Sequence, residues 1–329
     1  MSAPTPETPG SPLVAAIVMT LFCSSAYLWW QVARRRFVAA TGVNDETSVE
    51  AESCSSAGAT APLPPRKVAL WGLIDLIFTV LLLSMAMSAG FTWLKGRVEL
   101  PPRVPLHELP SSVATQLVWV NSLAMLLATF GGLLFIHMRT FATAAELGWS
   151  PRDRWSDLKL GARTFVLWSG PILTLQILLT IWFPYHHPLM DTVKKSPEWS
   201  VLLANAVAGV VVAPICEELL FRLLLLGWLE NIGERGLLAR DWLVGPAGER
   251  RQLVRSRQSW LPIVTSSALF AAAHASQGPA PIPLFILALV LGRLYQTTGR
   301  VLPGIVVHFL LNAWSFGLLL LQIMLKGST

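Results

Sequence analysis

The sequence predicts an all-α, polytopic helical membrane protein with about eight transmembrane helices. Of its 329 residues, 53% are hydrophobic and only 13% are charged, whereas a soluble domain carries about a quarter charged residues. Several apolar runs exceed the ~18 residues that mark a membrane span. These runs lack the alternation of apolar and polar residues that transmembrane β-strands show. Membrane helices are therefore the expected elements.

The predicted spans divide the chain into two parts. They lie at about residues 13–32, 68–91, 116–136, 162–183, 201–229, 260–276, 282–296 and 302–325. The segment 37–65 is rich in Ala, Ser, Thr, Glu and Pro, and its low apolar content predicts a disordered loop. We assign about three spans and this loop to an N-terminal part, residues 1–143, and the remaining spans to a second membrane domain, residues 144–329.

Basic residues are distributed unequally between the two predicted sides. Eighteen of the 25 Lys and Arg residues fall on one side, six of them in the loop 230–259, and six fall on the other side. Because basic residues mark cytoplasmic loops, this loop is predicted to be cytoplasmic and both termini to be outside. The chain is expected to be an integral, multi-pass protein, in the plasma or inner membrane if the host is a bacterium. The net charge of +6 then indicates a lipid bilayer as partner and no nucleic acid.

The fifth predicted span holds an unusual group of ionisable residues. Glu217, Glu218 and Arg222 lie among Val, Leu and Ala, where ionised groups are costly unless they are paired, hydrated or functional. Glu218 and Arg222 are four residues apart and share a helical face, so they can pair. Glu217 is rotated by about 100° from Glu218 and can point into a cavity.

Two further polar pairs occur in the C-terminal half. Phe270 and His274 end the sixth predicted span, and His308 and Asn312 lie in the last one. The members of each pair are four residues apart, hence on one face. A carboxylate and a neutral imidazole can share a water and take its proton, while a second imidazole and a carboxamide can donate hydrogen bonds to a developing oxyanion. This set suits the attack of water on an amide without a covalent intermediate.

The three motifs resemble those of a known family. Glu-Glu-x-x-x-Arg, Phe-x-x-x-His and His-x-x-x-Asn, in this order on consecutive apolar segments, are similar to the motifs of the CPBP intramembrane proteases. This CAAX-protease and bacteriocin-processing family, also called ABI, includes the Ras-converting CAAX endoprotease, which removes the last three residues of prenylated proteins. The resemblance covers roughly residues 145–325. It implies a catalytic membrane domain at 144–329 and a membrane-associated protein or peptide substrate, lipidated or not.

The resemblance also implies roles for individual residues. Glu217 would be the general base and His274 its partner on the water, while His308 and Asn312 would form the oxyanion site. Supporting residues would order the helix and line the pocket: Glu218, Arg222 and Phe270. No cofactor is expected, since the zinc motif His-Glu-x-x-His does not occur. The alternative is a zinc ion on Glu217, His274 and His308, which are acceptable ligand types.

Two other functions remain open from the sequence. Cys216 adjoins Glu217 and, with His274, is a candidate thiol nucleophile, or else a small buried side chain. The polar network is alternatively that of a non-catalytic membrane scaffold or an immunity-type protein. The predicted boundaries also place Glu217 and His274 at depths that differ by about 10 Å, which conflicts with a shared site.

Two sets of polar residues are weaker candidates. Asp75 lies near the start of the second predicted span and is either functional or in contact with the interface. His186, His187 and Asp191, in the loop 184–199, suggest a metal site less readily than an ordinary polar turn. The three cysteines show no CxxC or Cys/His spacing, so neither a disulfide framework nor a zinc finger is predicted.

Overall fold

The described chain is almost entirely helical in the computed structural model, which describes residues 12–41, 66–98, 104–184, 187–255 and 259–327. We number ten helices in chain order: α1 Pro12–Thr41, α2 Leu73–Lys95, α3 Ser111–Thr140, α4 Arg154–Trp182, α5 Pro188–Lys195, α6 Trp199–Asn231, α7 Ala239–Val244, α8 Trp260–Ala272, α9 Pro281–Thr298 and α10 Leu302–Gly327. Within these ranges no β-strand occurs, and an isolated bridge joins Lys67 to Val254. The all-α fold class is confirmed.

Seven of the described helices are long and apolar enough to cross a membrane: α1, α2, α3, α4, α6, α9 and α10. The sixth predicted span corresponds to α8, which has only 13 residues. Because a span needs about 20 residues, α8 reaches only part of the way across, and it packs against α9 as a helical hairpin. Residues 37–41, predicted to belong to a disordered loop, continue α1. The rest of that loop, 42–65, lies outside the described residues.

The second predicted span begins later than expected. Residues 68–72 are extended rather than helical, because polar groups from other segments form hydrogen bonds with their backbone N–H and C=O groups. The Asn231 side chain accepts a hydrogen bond from the Ala69 N–H and donates one to the Ala69 carbonyl. Gly72 is required here, since a Cβ at this position would lie 2.4 Å from the Leu243 carbonyl oxygen. The apolar run that looked like helix is therefore a buried extended segment.

The long helix α6 lies at the centre of the bundle. It contacts α2, α3, α5, α8, α9 and α10. Its C-terminal half contributes the fully buried side chains of Leu223, Leu224 and Leu226 to the largest apolar cluster. Any group on α6 is consequently held by neighbours on most sides.

Pro171 in α4 shows how the helices dock. Proline has no N–H, so the carbonyl of the residue four positions earlier, Leu167, loses its helical donor. Ser25 Oγ and Trp29 Nε1 of α1 both donate to that carbonyl, at 2.8 and 2.9 Å. The proline thus leaves an acceptor that fixes α1 against α4.

The two ends of the bundle differ in charge. One end, which we call the arginine-rich end, carries the pairs Arg66–Glu230, Arg139–Asp75, Arg250–Asp241 and Arg300–Asp157. The opposite end, the α5 end, is formed by α5 and the short helical turn Leu106–Glu108 that packs on it. Asp75, a candidate from the sequence, is buried at the arginine-rich end, where it also accepts a hydrogen bond from the Gly72 N–H. Its contacts are those of a structural ion pair.

Candidate active site

The site is built on an irregular part of α6. Two segments, Val207–Val212 and Glu218–Leu226, are wound as π-helix, a form that occurs mostly as short bulges at functional sites. In the first segment the Ala213 N–H reaches back five residues to Ala208. Pro214 has no N–H, so the next carbonyl in this pattern, that of Gly209, loses its donor.

Asn312 of α10 satisfies that carbonyl. Its Nδ2 donates to the Gly209 carbonyl oxygen at 2.8 Å. An amide nitrogen carries two hydrogens, so this bond uses one of them and leaves the other for the cavity. The sequence-based prediction placed Asn312 at an oxyanion site, and the structure adds that this side chain also ties α10 to α6.

Glu218 and Arg222 form a buried pair, as their spacing predicted. Arg222 Nη1 lies 3.1 Å from Glu218 Oε1, and both side chains are at most 2% exposed. The guanidinium lies over the Phe270 ring, 4.5 Å from its centre. The π-face of an aromatic ring attracts a cation, so Phe270 is part of the support for Arg222. Removal of either partner would leave an uncompensated charge in the apolar interior, which strongly destabilises the fold.

His308 contacts both glutamates of α6. Its Nδ1 lies 3.3 Å from Glu218 Oε1, and its Nε2 lies 3.8 Å from Glu217 Oε2. A carboxylate paired with arginine accepts hydrogen bonds and cannot donate them, so Nδ1 of His308 carries a proton. Its Nε2 therefore faces Glu217, the more accessible of the two carboxylates, which is 18% exposed.

His274 reaches the same site because α8 is short. Its Nδ1 lies 2.9 Å from the Phe270 carbonyl, which only accepts, so Nδ1 is the donor and Nε2 is left for other partners. Glu217 lies fourteen residues before the end of α6 at Asn231, and His274 fourteen residues after Trp260. At 1.5 Å per residue both are about 20 Å from the arginine-rich end. The predicted mismatch in depth is thus wrong, since α8 ends inside the bundle.

One cavity of about 260 Å³ brings these groups together. Its lining includes four predicted catalytic residues: Glu217, His274, His308 and Asn312. Glu218, Arg222 and Phe270 lie behind them, buried. The lining also includes polar residues that sequence reasoning did not select as catalytic: Gln176, His187, Asn205, Gln277 and Ser315. Asn205 was not recognisable from its spacing, because twelve residues of α-helix would place it about 120° away from Glu217. The π-helical segment Val207–Val212, which lies between the two residues, has a wider turn and lets both line the cavity.

The loop 184–199 is more than the polar turn expected from the sequence. It contains α5, whose N-terminal residues Pro188, Leu189 and Met190 line the cavity together with His187. Burial, followed by the nearby charge of His274, lowers the pKa of His187. His187 is therefore expected to be neutral at neutral pH. His186 lies outside the described residues.

The zinc alternative has no support from the arrangement of these side chains. Within the described ranges, no group of three or more His, Cys, Asp or Glu residues is placed so that it could hold a metal ion. Glu217 and His308 approach each other, but His274 does not complete a three-ligand set with them. No step below is therefore assigned to a metal.

Cys216 does not face this cavity. It is 3% exposed, is not part of the lining, and its thiol lies near Thr129 of α3. Adjacent residues on a helix point about 100° apart, so Glu217 faces the cavity while Cys216 faces α3. This placement is that of a small buried side chain rather than a nucleophile.

One family model matches the part of the chain that carries these residues. Residues 198–314 match the family model described as Rce1-like, type II CAAX prenyl endopeptidase Rce1-like. The match agrees with the resemblance of the three motifs to the CAAX proteases. It begins next to the N-terminus of α6, ends two residues after Asn312, and covers about a third of the chain. No curated protein and no solved structure matches the chain significantly.

The family match and the apolar helices together indicate where the protein lies and what class of reaction it carries out. With seven apolar helices of sufficient length among its described residues, the chain is an integral, multi-pass membrane protein. The CAAX protease family supports intramembrane endopeptidase activity in general, on a peptide substrate in a lipid bilayer. All seven residues predicted for the site fall inside the matched region.

Proposed function

We propose that the chain is an intramembrane endopeptidase that hydrolyses a peptide bond of a membrane-associated protein or peptide with a water activated by Glu217. One observation carries the proposal: Glu217, His274, His308 and Asn312 line a single cavity next to a buried Glu218–Arg222 pair. A structural network needs its charges paired, whereas Glu217 lies open to the cavity. The scaffold alternative gives no reason for that exposure.

The chemistry follows from the positions of the donors and acceptors. Glu217 takes a proton from the water, whose oxygen attacks the carbonyl carbon of the scissile bond. His274, with Nδ1 held by the Phe270 carbonyl, accepts a hydrogen bond from the water at Nε2 and then relays to the leaving amine the proton that Glu217 took. The carbon–nitrogen bond then breaks, leaving a new carboxyl group and a new amino group.

The negative charge that develops on the carbonyl oxygen is stabilised by α10. Asn312 offers the N–H that its bond to Gly209 leaves free. His308 offers Nε2–H when it is doubly protonated, since its Nδ1 proton is directed at Glu218. Removal of one preorganised donor of this kind lowers kcat by ~10²–10³-fold.

The proposal is tested by comparing chain termini in cells. Cells that express the wild-type protein, Glu217→Gln or Cys216→Ala are compared by proteomics of new N- and C-termini. We expect the same set of new termini for the wild type and Cys216→Ala, and none for Glu217→Gln. Termini that require Cys216 would favour the thiol mechanism, and a Glu217→Gln variant with full biological activity would favour the scaffold. Loss of a C-terminal tripeptide would identify CAAX-type processing.

Metal dependence is tested on purified protein. If Glu217 and His274 activate water without a metal, cleavage persists after chelation and elemental analysis shows far less than one zinc per chain. About one zinc per chain, with activity lost on chelation and restored by zinc, would overturn this part of the proposal.

A further inference from the structure

Helices α6 and α10 run side by side in opposite directions along the active-site cavity. Glu217 of α6 lies near His308 of α10, and the Gly209 carbonyl accepts a hydrogen bond from Asn312. Past these contacts, Asn205 of α6 and the residues that follow Asn312 on α10 still line the cavity. The cavity therefore extends beyond the four predicted catalytic residues.

An apolar cluster joins α5, α6 and α10 at the far side of Asn205. Its buried members are Val193, Val201 and Leu319, each at most 5% exposed. Val201 lies one turn before Asn205 on α6, and Leu319 lies one turn after Ser315 on α10. These positions place Asn205 across the cavity from Ser315, between the oxyanion site and the apolar cluster.

Asn205 carries a polar atom that the fold leaves unpaired. It is 1% exposed, and its amide bonds to the Val201 carbonyl at 2.7 Å. Because a carbonyl only accepts, Nδ2 is the donor and Oδ1 points away. Within the part of the chain that the structure describes, Oδ1 has no hydrogen-bond partner, and a buried acceptor without a donor destabilises a fold. An N–H of a molecule bound in the cavity would supply that donor.

The chemistry of the lining indicates which molecule this is. Besides His187 and the four predicted catalytic residues, the described lining residues with polar side chains are amides and a hydroxyl: Gln176, Asn205, Gln277 and Ser315. Uncharged amides and hydroxyls pair with the N–H and C=O groups of a peptide main chain. The donor that Asn205 lacks is thus a main-chain N–H of the substrate.

The distance along α10 gives the position of that N–H in the substrate. Ser315 lies seven residues after His308, which corresponds to about 10 Å at 1.5 Å per residue. An extended peptide rises about 3.3 Å per residue, so about three residues span this distance.

We propose that Asn205 binds a main-chain N–H of the substrate about three residues from the scissile bond. This inference rests on the proposed protease function and adds a residue that determines specificity. The substrate class is a peptide segment that is extended, rather than helical, for at least this length on one side of the cleaved bond. A helical segment uses its own N–H groups within the helix and offers none to Asn205.

Thermal melts in detergent test whether Asn205 is instead a structural residue. Asn205→Leu replaces an unpaired acceptor by an apolar group, so we expect a Tm equal to or above that of the wild type. Asn231→Leu is the matched control on the same helix, because both amide atoms of Asn231 bond to the backbone of Ala69, and its Tm is expected to fall. An Asn205→Leu protein that melts as low as Asn231→Leu would overturn the inference.

Peptides with single N-methyl groups locate the bound N–H. The peptide spans a cleavage site found by the comparison of chain termini, and residues on either side of that site are N-methylated one at a time. Its Kd is measured with Glu217→Gln and with Glu217→Gln/Asn205→Leu, so that no cleavage occurs. At one position, about three residues from the site, we expect N-methylation to weaken binding about tenfold for Glu217→Gln. The double variant is expected to bind this peptide and the unmodified one nearly equally.

The outcomes separate this inference from the proposed function. An N-methyl effect that is equal in both proteins at every position would assign Oδ1 to a cavity water and overturn the inference. If the wild type cleaves the peptide in that case, the proposed function stands. A position-specific difference between the two proteins, without cleavage by the wild type, would support the inference and contradict the proposed function.

Discussion

At the residue scale, hydrogen bonds fix which atoms of the site remain available. Asn312 gives one N–H to the Gly209 carbonyl and keeps the other. His274 and His308 both use Nδ1 as donor, to the Phe270 carbonyl and to Glu218 respectively. Each imidazole therefore presents Nε2 to its remaining neighbours. The sequence predicted the residue types and their faces, but the tautomers depend on acceptors that only the fold brings near.

Asn205 provides a test at this scale. We expect Asn205→Ala to raise KM with little change in kcat, because Asn205 lines the cavity and its buried Oδ1 has no hydrogen-bond partner, so that an N–H of the substrate would supply the missing donor. The control is Ser122→Ala, which likewise removes a buried side chain bonded to the carbonyl four residues earlier but lies on α3. Steady-state kinetics with a cleaved peptide measure both variants. A fall in kcat at unchanged KM for Asn205→Ala would contradict the assigned role.

His187 makes stability depend on pH in a defined direction. Burial and the charge of His274 lower its pKa in the folded state below the usual value of 6.5 for histidine. Protonation therefore favours the unfolded state, so this contribution to stability is present above about pH 6.5 and is lost as the pH falls below it. We expect thermal melts in detergent to show a smaller drop in Tm between pH 7.5 and 5.5 for His187→Gln than for the wild type. An equal drop in both proteins would contradict this assignment.

At the element scale, close approach of α10 to α6 positions the catalytic groups. Gly304 lies one turn before His308 on α10, and a Cβ there would lie 2.7 Å from Glu218 Oε2. Glu218 is held by Arg222 and His308, so it cannot move without disturbing both. The glycine thus lets the backbone of α10 approach the Glu218 carboxylate on α6. The spacing of the polar motifs does not reveal this requirement.

Replacing this glycine tests the approach of the two helices. We expect Gly304→Ala to lower kcat on the order of 10²-fold, as small displacements at a catalytic site do, and to lower Tm as well, because the added methyl group displaces a buried ion pair. Gly317→Ala is the matched control on the same helix, because a Cβ there meets nothing within 4 Å. Single-turnover cleavage and a thermal melt are measured for both. Equal rates for the two variants would show that Gly304 does not position Glu218.

The docking of α1 against α4 provides a second test at this scale. The double variant Ser25→Ala/Trp29→Phe leaves the Leu167 carbonyl without its two donors. An unsatisfied acceptor costs ~1–3 kcal/mol, so we expect a lower Tm but unchanged cleavage below the melt. Ser24→Ala is the control, since Ser24 bonds only within α1, to the Thr20 carbonyl. A double variant that melts like Ser24→Ala would show that the Leu167 carbonyl is not a docking point.

At the scale of the whole molecule, much of the fold was predictable from the sequence. The length of the apolar runs predicted a membrane protein and most of its spans. The polar residues spaced four apart predicted which helical faces meet at the cavity. Two errors have physical causes. Val68–Trp71 is as apolar as a span but is extended, because the Asn231 amide takes the place of a helical partner. The depth of His274 was wrong because hydropathy does not show that α8 stops inside the bundle.

The cavity could be predicted only in part. Glu217, His274, His308 and Asn312 came from motifs at helical spacing. His187 did not, since it lies in a loop whose contact with the cavity depends on how α5 folds back. Asn312 was assigned to the oxyanion, but its bond to Gly209 follows from Pro214 on another helix. Contacts between distant segments, rather than local patterns, complete the site.

The central claim is that Glu217 activates water in a cavity inside the membrane domain. Single-turnover cleavage by purified protein in detergent tests it, with a thermal melt of each variant. Glu217→Gln keeps the shape and hydrogen bonding of the side chain, so we predict an unchanged melt and a rate lower by ~10²–10⁴, while Cys216→Ala cleaves at the wild-type rate. Cleavage by Glu217→Gln at the wild-type rate, with the melt unchanged, would contradict the claim.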